Sequence, residues 1–463
     1  MLLPGGDSAK GKEWPQILAI CSGCLCSFTT GMLTSWTSPY IINITEDKEN
    51  YDITEDDTSL FPVIPPFFMM VSIPIFSKLA DIIGRKKTIL ISAFPYFTCW
   101  LLMALAKDVW LFYIARAFEG VSDSIVFGVL PMYLGEVATP KVRGVWGNGM
   151  TLMNYFGEFL INIIGIKCSV QQASYIGMTI PILFLITFVI MPESPYFLLM
   201  KQRDVEAMTS LQWLRRKINI EDDFKQLQSD VKRQMSEQGT WKELFTISAN
   251  RKALLAGMFL RISQQFSGLS VYYSYTKLIF VESRTTVSPD MSILIFTGLN
   301  FSLNIVASYT SHFLGRKKSQ IYSLLLCSFA LAPFTAYLYI LHFHPDADLS
   351  NWRWVPLACM SGYIIFSAFG VAIIPSLMLG ELFSASIKAK GLTVLIMQLG
   401  ALLFSVNYLF YYLKSTYGMY APFMLFTICS LVSSGLAVYL VPETEGKTLE
   451  EIQQGLKKNK ENS

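Results

Sequence analysis

Long apolar runs separated by short polar gaps fill almost the whole chain, and their length sets the class of protein before any motif is considered. Runs of about 20 residues or more, enough for a helix to cross ~30 Å of hydrocarbon, lie near 17–42, 59–79, 88–106, 109–134, 146–168 and 172–191. A charged stretch from Glu193 to Arg251 interrupts the series, and six more runs follow near 253–281, 291–312, 319–342, 354–380, 389–413 and 419–441. Within that stretch Phe224, Leu227, Val231 and Met235 recur at helical spacing, which predicts an amphipathic helix. The pattern predicts an all-α membrane protein of twelve transmembrane helices in two six-helix halves, 1–192 and 252–442. A cytoplasmic helical linker, 193–251, joins them, and a cytoplasmic tail, 443–463, follows.

The polar gaps orient the chain. Gly84-Arg85-Lys86-Lys87 returns as Gly315-Arg316-Lys317-Lys318, each time between two apolar runs. Basic loops are retained on the cytoplasmic side, and the predicted threading puts Arg85, Arg143, the linker, Arg316 and Lys388 on one side. Lys10 and Lys12 before the first run, and Lys457, Lys458 and Lys460 after the last, place both termini there too. The first run is too long for a signal-peptide core and is expected to stay as a span. The loop behind it carries Glu46, Asp47, Glu49, Asp52, Glu55, Asp56 and Asp57 and should face outside, with Asn43-Ile44-Thr45 as a candidate glycosylation sequon.

Composition agrees: 52% of the residues are hydrophobic and 15% charged, against roughly a quarter charged in a soluble chain. The net charge of +3 comes from segregated loops, so no basic stripe for nucleic acid arises. All eight cysteines lie in or beside apolar runs and read as small packing residues; Cys21 and Cys24 have no second pair or His to complete a metal site. No cofactor, metal or catalytic constellation is expected.

The repeat goes deeper than one tetrapeptide. Gly135-Glu136 with Arg143 is echoed by Gly380-Glu381 with Lys388, and Pro192-Glu193-Ser194-Pro195 by Pro442-Glu443-Thr444-Glu445. A duplicated six-span unit places a substrate site at the interface between its halves.

These residues resemble the sugar porter family of the major facilitator superfamily over nearly the whole chain, most of all its insect trehalose and hexose transporters. The resemblance rests on Asp81-x-x-Gly84-Arg85-Lys86, Arg116 with Gly120, Pro131-x-Tyr133-x-x-Glu136 through Arg143-Gly144, Pro192-Glu193-Ser194-Pro195, Gln264-Gln265-Phe266-Ser267-Gly268, and the run from Pro442 to Ile452. It implies facilitative transport of a neutral sugar, trehalose or a hexose, across the plasma membrane by alternating access. A non-transporting sugar sensor and a proton-coupled porter of another small solute remain the alternatives.

For the site, the resemblance implies Gln264, Gln265 and Asn300 as sugar contacts, with Ser270, Tyr275 and Thr151 at further contact positions. Paired amides suit neighbouring hydroxyls, which favours sugar binding over the other use of two intramembrane glutamines, joining helices. Ser274, Ser367 and Ser376 stand where the family places larger partners, which reduces stacking on a sugar face. Arg85, Glu136, Arg143, Glu193, Arg316, Glu381, Lys388 and Glu443 correspond to the cytoplasmic gate that holds the inner ends together in the outward-open state. Lys388 replaces the usual Arg and His312 an acid, so the second half should be less well latched. The first span contains no acid, which favours uniport. Asp123 and Glu158 keep proton coupling open, while Glu119 has Arg116 one turn away as a partner.

Overall fold

The computed structural model describes residues 11–217, 219–236, 239–310, 315–384, 386–446 and 451. Lys10, His312, Lys447 to Glu450, Ile452 and the tail lysines lie outside the described residues. Twelve long helices run in order: α1 (Trp14–Glu46), α2 (Ile64–Ile83), α3 (Arg85–Leu105), α4 (Val109–Val137), α5 (Gly149–Lys167), α6 (Val170–Phe188), α7 (Ser248–Phe266, then Leu269–Glu282), α8 (Pro289–Thr310), α9 (Arg316–Phe343), α10 (Val355–Ala368, then Ile374–Glu381), α11 (Lys388–Tyr417) and α12 (Tyr420–Leu440).

Nine of these are long and apolar enough to cross a bilayer by composition alone, and the exceptions, α5, α7 and α10, are informative. Buried polar residues lower the hydropathy of α5 and α7: Glu158 and Asn162 on the first, Arg261, Gln264 and Gln265 on the second. The runs predicted near 253–281 and 354–380 as single spans are each broken. α7 breaks at Gly268, whose φ of +91° requires glycine. α10 breaks between Ala368 and Ile374, where Gly370 packs so closely on α9 that an added Cβ would lie 2.3 Å from that of Ser323. Large apolar side chains such as Phe94 and Ile186, 72% and 63% exposed, face outward, as a lipid-facing belt requires.

Within the first half α1 and α5 approach at their glycines: a Cβ on Gly31 would lie 1.9 Å from the Asn154 carbonyl oxygen, and one on Gly157 would lie 2.2 Å from that of Phe28. Small residues allow this contact in a medium where apolar burial drives little association. The halves meet along three seams: α1 on the second piece of α7, α2 on α11, and α5 on α8.

Four short helices form the linker, Pro195–Met200, Asp204–Arg215, Glu221–Ser236 and Trp241–Thr246. On Glu221–Ser236, Phe224, Leu227 and Val231 pack against Phe197, Leu198 and Leu199. Met235, predicted to share that face, is 46% exposed and does not join the cluster. Arg215 Nη1 ties the linker to the Val137 carbonyl at 3.0 Å, and Lys390 Nζ to that of Gly239 at 2.8 Å.

Candidate functional site

Two copies of one cluster stand at the basic end. In the first, Gly84 turns with φ +109° into the start of α3, and Glu193 accepts from the Lys86 backbone N–H at 2.9 Å. In the second, Gly315 turns with φ +75° into α9, and Glu443 accepts from Arg316 N–H at 2.9 Å and Lys317 N–H at 3.2 Å. A carboxylate there satisfies orphan donors and meets the positive end of the helix dipole. Arg85 Nε lies 3.3 Å from Glu136 and its Nη1 3.0 Å from Asp81, while Ser194 donates to Glu136. Arg316 correspondingly lies 3.2 Å from Glu381, and Thr444 donates to that carboxylate at 2.6 Å. Glu445, 2.9 Å from Arg316, does for the second half what Asp81 does for the first.

None of these bonds crosses from one half to the other. Arg143 Nη2 donates to the carbonyls of Gly135 at 2.6 Å and Ala138 at 3.3 Å, whereas Lys388 Nζ reaches that of Gly380 at 2.8 Å. Tyr196 donates to Gln234 within the linker.

Between the halves lies a cavity of about 1580 Å³ that reaches the basic end, where Asp81, Arg85, Arg143, Arg215 and Lys388 line its mouth. Burial pulls the Arg215 pKa below its ordinary value, against the opposing pull of Asp223. The acidic end is shut. Thr37 Oγ1 donates to the Ser274 carbonyl at 2.9 Å, Ser35 Oγ to that of Tyr273 at 3.2 Å, and Tyr411 to Asp56; Lys414 lies 3.7 Å from Glu55. Asn43 sits in the last turns of α1, not in the loop, and accepts from Lys277 Nζ at 3.3 Å.

Of the residues expected at the site, Thr151, Gln264, Gln265, Ser270, Asp123 and Glu158 line the cavity. Gln265 Oε1 and Ser270 Oγ are buried with no hydrogen-bond partner among the described residues, so each can take one from a solute. Gln264 is differently placed. Its Nε2 donates to the carbonyls of Val371 at 2.9 Å and Ala372 at 3.2 Å, which the break in α10 leaves free, and its Oε1 accepts from Arg261 at 2.8 Å. Asn300 and Tyr275 are not in the cavity wall. Asn300 Oδ1 accepts from Asn304 at 3.0 Å, and Tyr275, at a non-helical φ of −127°, packs on Phe410 at 4.7 Å. No aromatic of α10 faces the cavity; Tyr155 and Tyr273 supply that character.

The buried acids each have a partner. Glu119 lies 2.5 Å from Arg116, Asp123 accepts from Tyr96 at 2.8 Å, and Glu158 accepts from Asn154 at 2.8 Å. The sequence reading passed over Arg261, Asn154 and Asn407, all in the wall. A cation three residues before Gln264 in an apolar run was the signal for the first of these.

Comparison with known proteins agrees with this architecture. Residues 15–456 match the sugar (and other) transporter family. The facilitated trehalose transporter Tret1 of Apis mellifera ligustica is 30% identical over 442 residues, covering 95% of this chain and 87% of that protein. Tret1 of Aedes aegypti is 29% identical over 445 residues, and the chain spans 55% of its length. The xylose transporter XylE from E. coli, in its inward open conformation, superposes with a TM-score of 0.72 at 19% identity, over 95% of this chain and 98% of that one. With duplicated helix-capping clusters and a cavity between two six-helix halves of the major facilitator fold, this multi-pass membrane protein belongs to the sugar (and other) transporter family.

Proposed function

We propose that the protein carries a sugar, trehalose or a hexose, across the plasma membrane by rocking its two halves about the central cavity. The observation that carries this reading is the cavity itself, lined by both halves, open at one end and sealed at the other by bonds that cross between them. Trehalose transport by the named relatives supports the substrate class. The basic end is assigned to the cytoplasm by its arginines and lysines, which puts both termini inside and makes the conformation inward-facing. The halves are taken as 1–192 and 252–442, moving as bodies on the linker 193–251.

The gate then works by release. In the inward-facing form each capping cluster closes on its own half, leaving the mouth unobstructed. Reconstitution of the purified chain in liposomes, with radiolabelled trehalose and glucose and counterflow from a preloaded lumen, tests the function. Saturable counterflow is expected. Sugar binding without flux would favour a sensor and refute transport.

A further inference from the structure

Arg261 is the fourteenth residue of the first piece of α7, inside the run 253–281 read as a span, and is only 7% exposed. A guanidinium stays protonated under all ordinary conditions, and at bilayer depth an ionised side chain is costly and needs a partner. No carboxylate lies within ion-pair distance of Arg261 among the described residues. The acids of the opposite wall are held on their own half, Glu119 by Arg116, Asp123 by Tyr96 and Glu158 by Asn154. Arg261 spends Nη1 on Gln264, and its Nε has no hydrogen-bond partner. The residue lines the cavity, and Gln265 Oε1, buried and equally unpartnered, lines it too.

We propose that Arg261 binds a single negative charge on the transported solute, a carboxylate borne by a sugar-like polyol, so that the preferred cargo is a sugar acid. The Nε–Nη2 edge of a guanidinium matches the two oxygens of a carboxylate, and Nη1 is already engaged. Gln265 Oε1 accepts from a hydroxyl of the same molecule. A phosphoryl group, with a charge near −1.5 to −2, would ask for more than this one cation. The proposal rests on the sugar-porter reading and moves its preferred substrate from a neutral sugar to a sugar acid.

The test uses the full chain in liposomes, with D-glucuronate, D-glucose, trehalose and glucose 6-phosphate as probes. Saturable glucuronate uptake is expected, with glucuronate also inhibiting the neutral flux. Arg261→Gln should raise the ratio of half-saturation constants, glucuronate over glucose, roughly tenfold or more, and Arg261→Lys should raise it less. If Arg261→Gln does not fold, competition in the wild type still decides. Saturable neutral flux that glucuronate neither shares nor inhibits would overturn the proposal and leave the sugar-porter reading intact. Flux of none of the probes would overturn both. Uptake of glucose 6-phosphate in preference to glucuronate would overturn the carboxylate assignment.

Discussion

The hydroxyl of Tyr273, on the second piece of α7, lies 3.4 Å from that of Tyr155 on α5, so one side chain from each half meets the other at the wall of the cavity. Nearby, Thr37 donates to the Ser274 carbonyl at 2.9 Å. Both bonds cross between the halves in this structure, which is closed at its acidic end, and removing either should favour the opposite conformation. A well-made hydrogen bond contributes about 0.5–1.5 kcal/mol, so Thr37→Val should shift the population ratio roughly two- to tenfold; Tyr155→Phe, losing a longer bond, should shift it less. The rate at which an impermeant thiol reagent labels Thr151→Cys from the basic side, in a background lacking the native cysteines, reads that ratio. Equal labelling in all three backgrounds would show that these contacts do not bias the transition.

The capping glycines make a graded prediction. A Cβ on Gly84 would sit 2.2 Å from Glu193 Oε2, and one on Gly315 would sit 2.8 Å from Glu443 Oε2, both at positive φ. Either alanine would be held in a positive-φ, extended backbone region essentially reserved for glycine, at a cost of about 1–3 kcal/mol. Gly84→Ala must also displace its carboxylate further, so it should lower the detergent-solubilised melting temperature more than Gly315→Ala. An equal or reversed order would show that displacement of the carboxylate does not set the cost.

Adjacent glutamines should fail in different ways. Gln265→Leu removes one acceptor offered to the solute and should weaken apparent affinity roughly three- to tenfold with little loss of stability. Gln264→Leu strips the partner from Arg261 and from the carbonyls of Val371 and Ala372, each a buried group costing about 1–3 kcal/mol when orphaned. It should lower thermal stability as well as flux. Equal melting temperatures for the two variants would contradict this division of labour.

How far the site was legible follows from the same residues. Apolar length located the spans because a bilayer demands it, and the twin Gly-Arg-Lys-Lys turns located the capping clusters because a helix start needs both the glycine and the anion. Periodicity could not register the breaks at Gly268 and beyond Ala368; the groups freed by the second are satisfied by residues distant in sequence, Gln264 and Ser323. For the same reason Tyr275, beyond the break, packs on Phe410 instead of facing the cavity. Arg261 was visible as a letter, but its lack of a counter-charge is a fact of three-dimensional arrangement.

Coupling is the last test. α1 carries no acid between residues 16 and 42, and the two candidate coupling acids of the cavity wall are both engaged, Asp123 by Tyr96 at 2.8 Å and Glu158 by Asn154 at 2.8 Å. A uniporter brings substrate to electrochemical equilibrium and no further, whatever the pH difference across the membrane. A carboxylate that takes up and releases a proton in each cycle would instead let a pH gradient concentrate the solute. Asp123→Asn and Glu158→Gln keep size and hydrogen bonding while removing that titration. We expect the wild type, with membrane voltage clamped to zero by potassium and valinomycin, not to accumulate a neutral sugar under an inward proton gradient, and both amide variants to retain exchange. Uphill accumulation lost in one variant would make that carboxylate the proton carrier and overturn the passive reading.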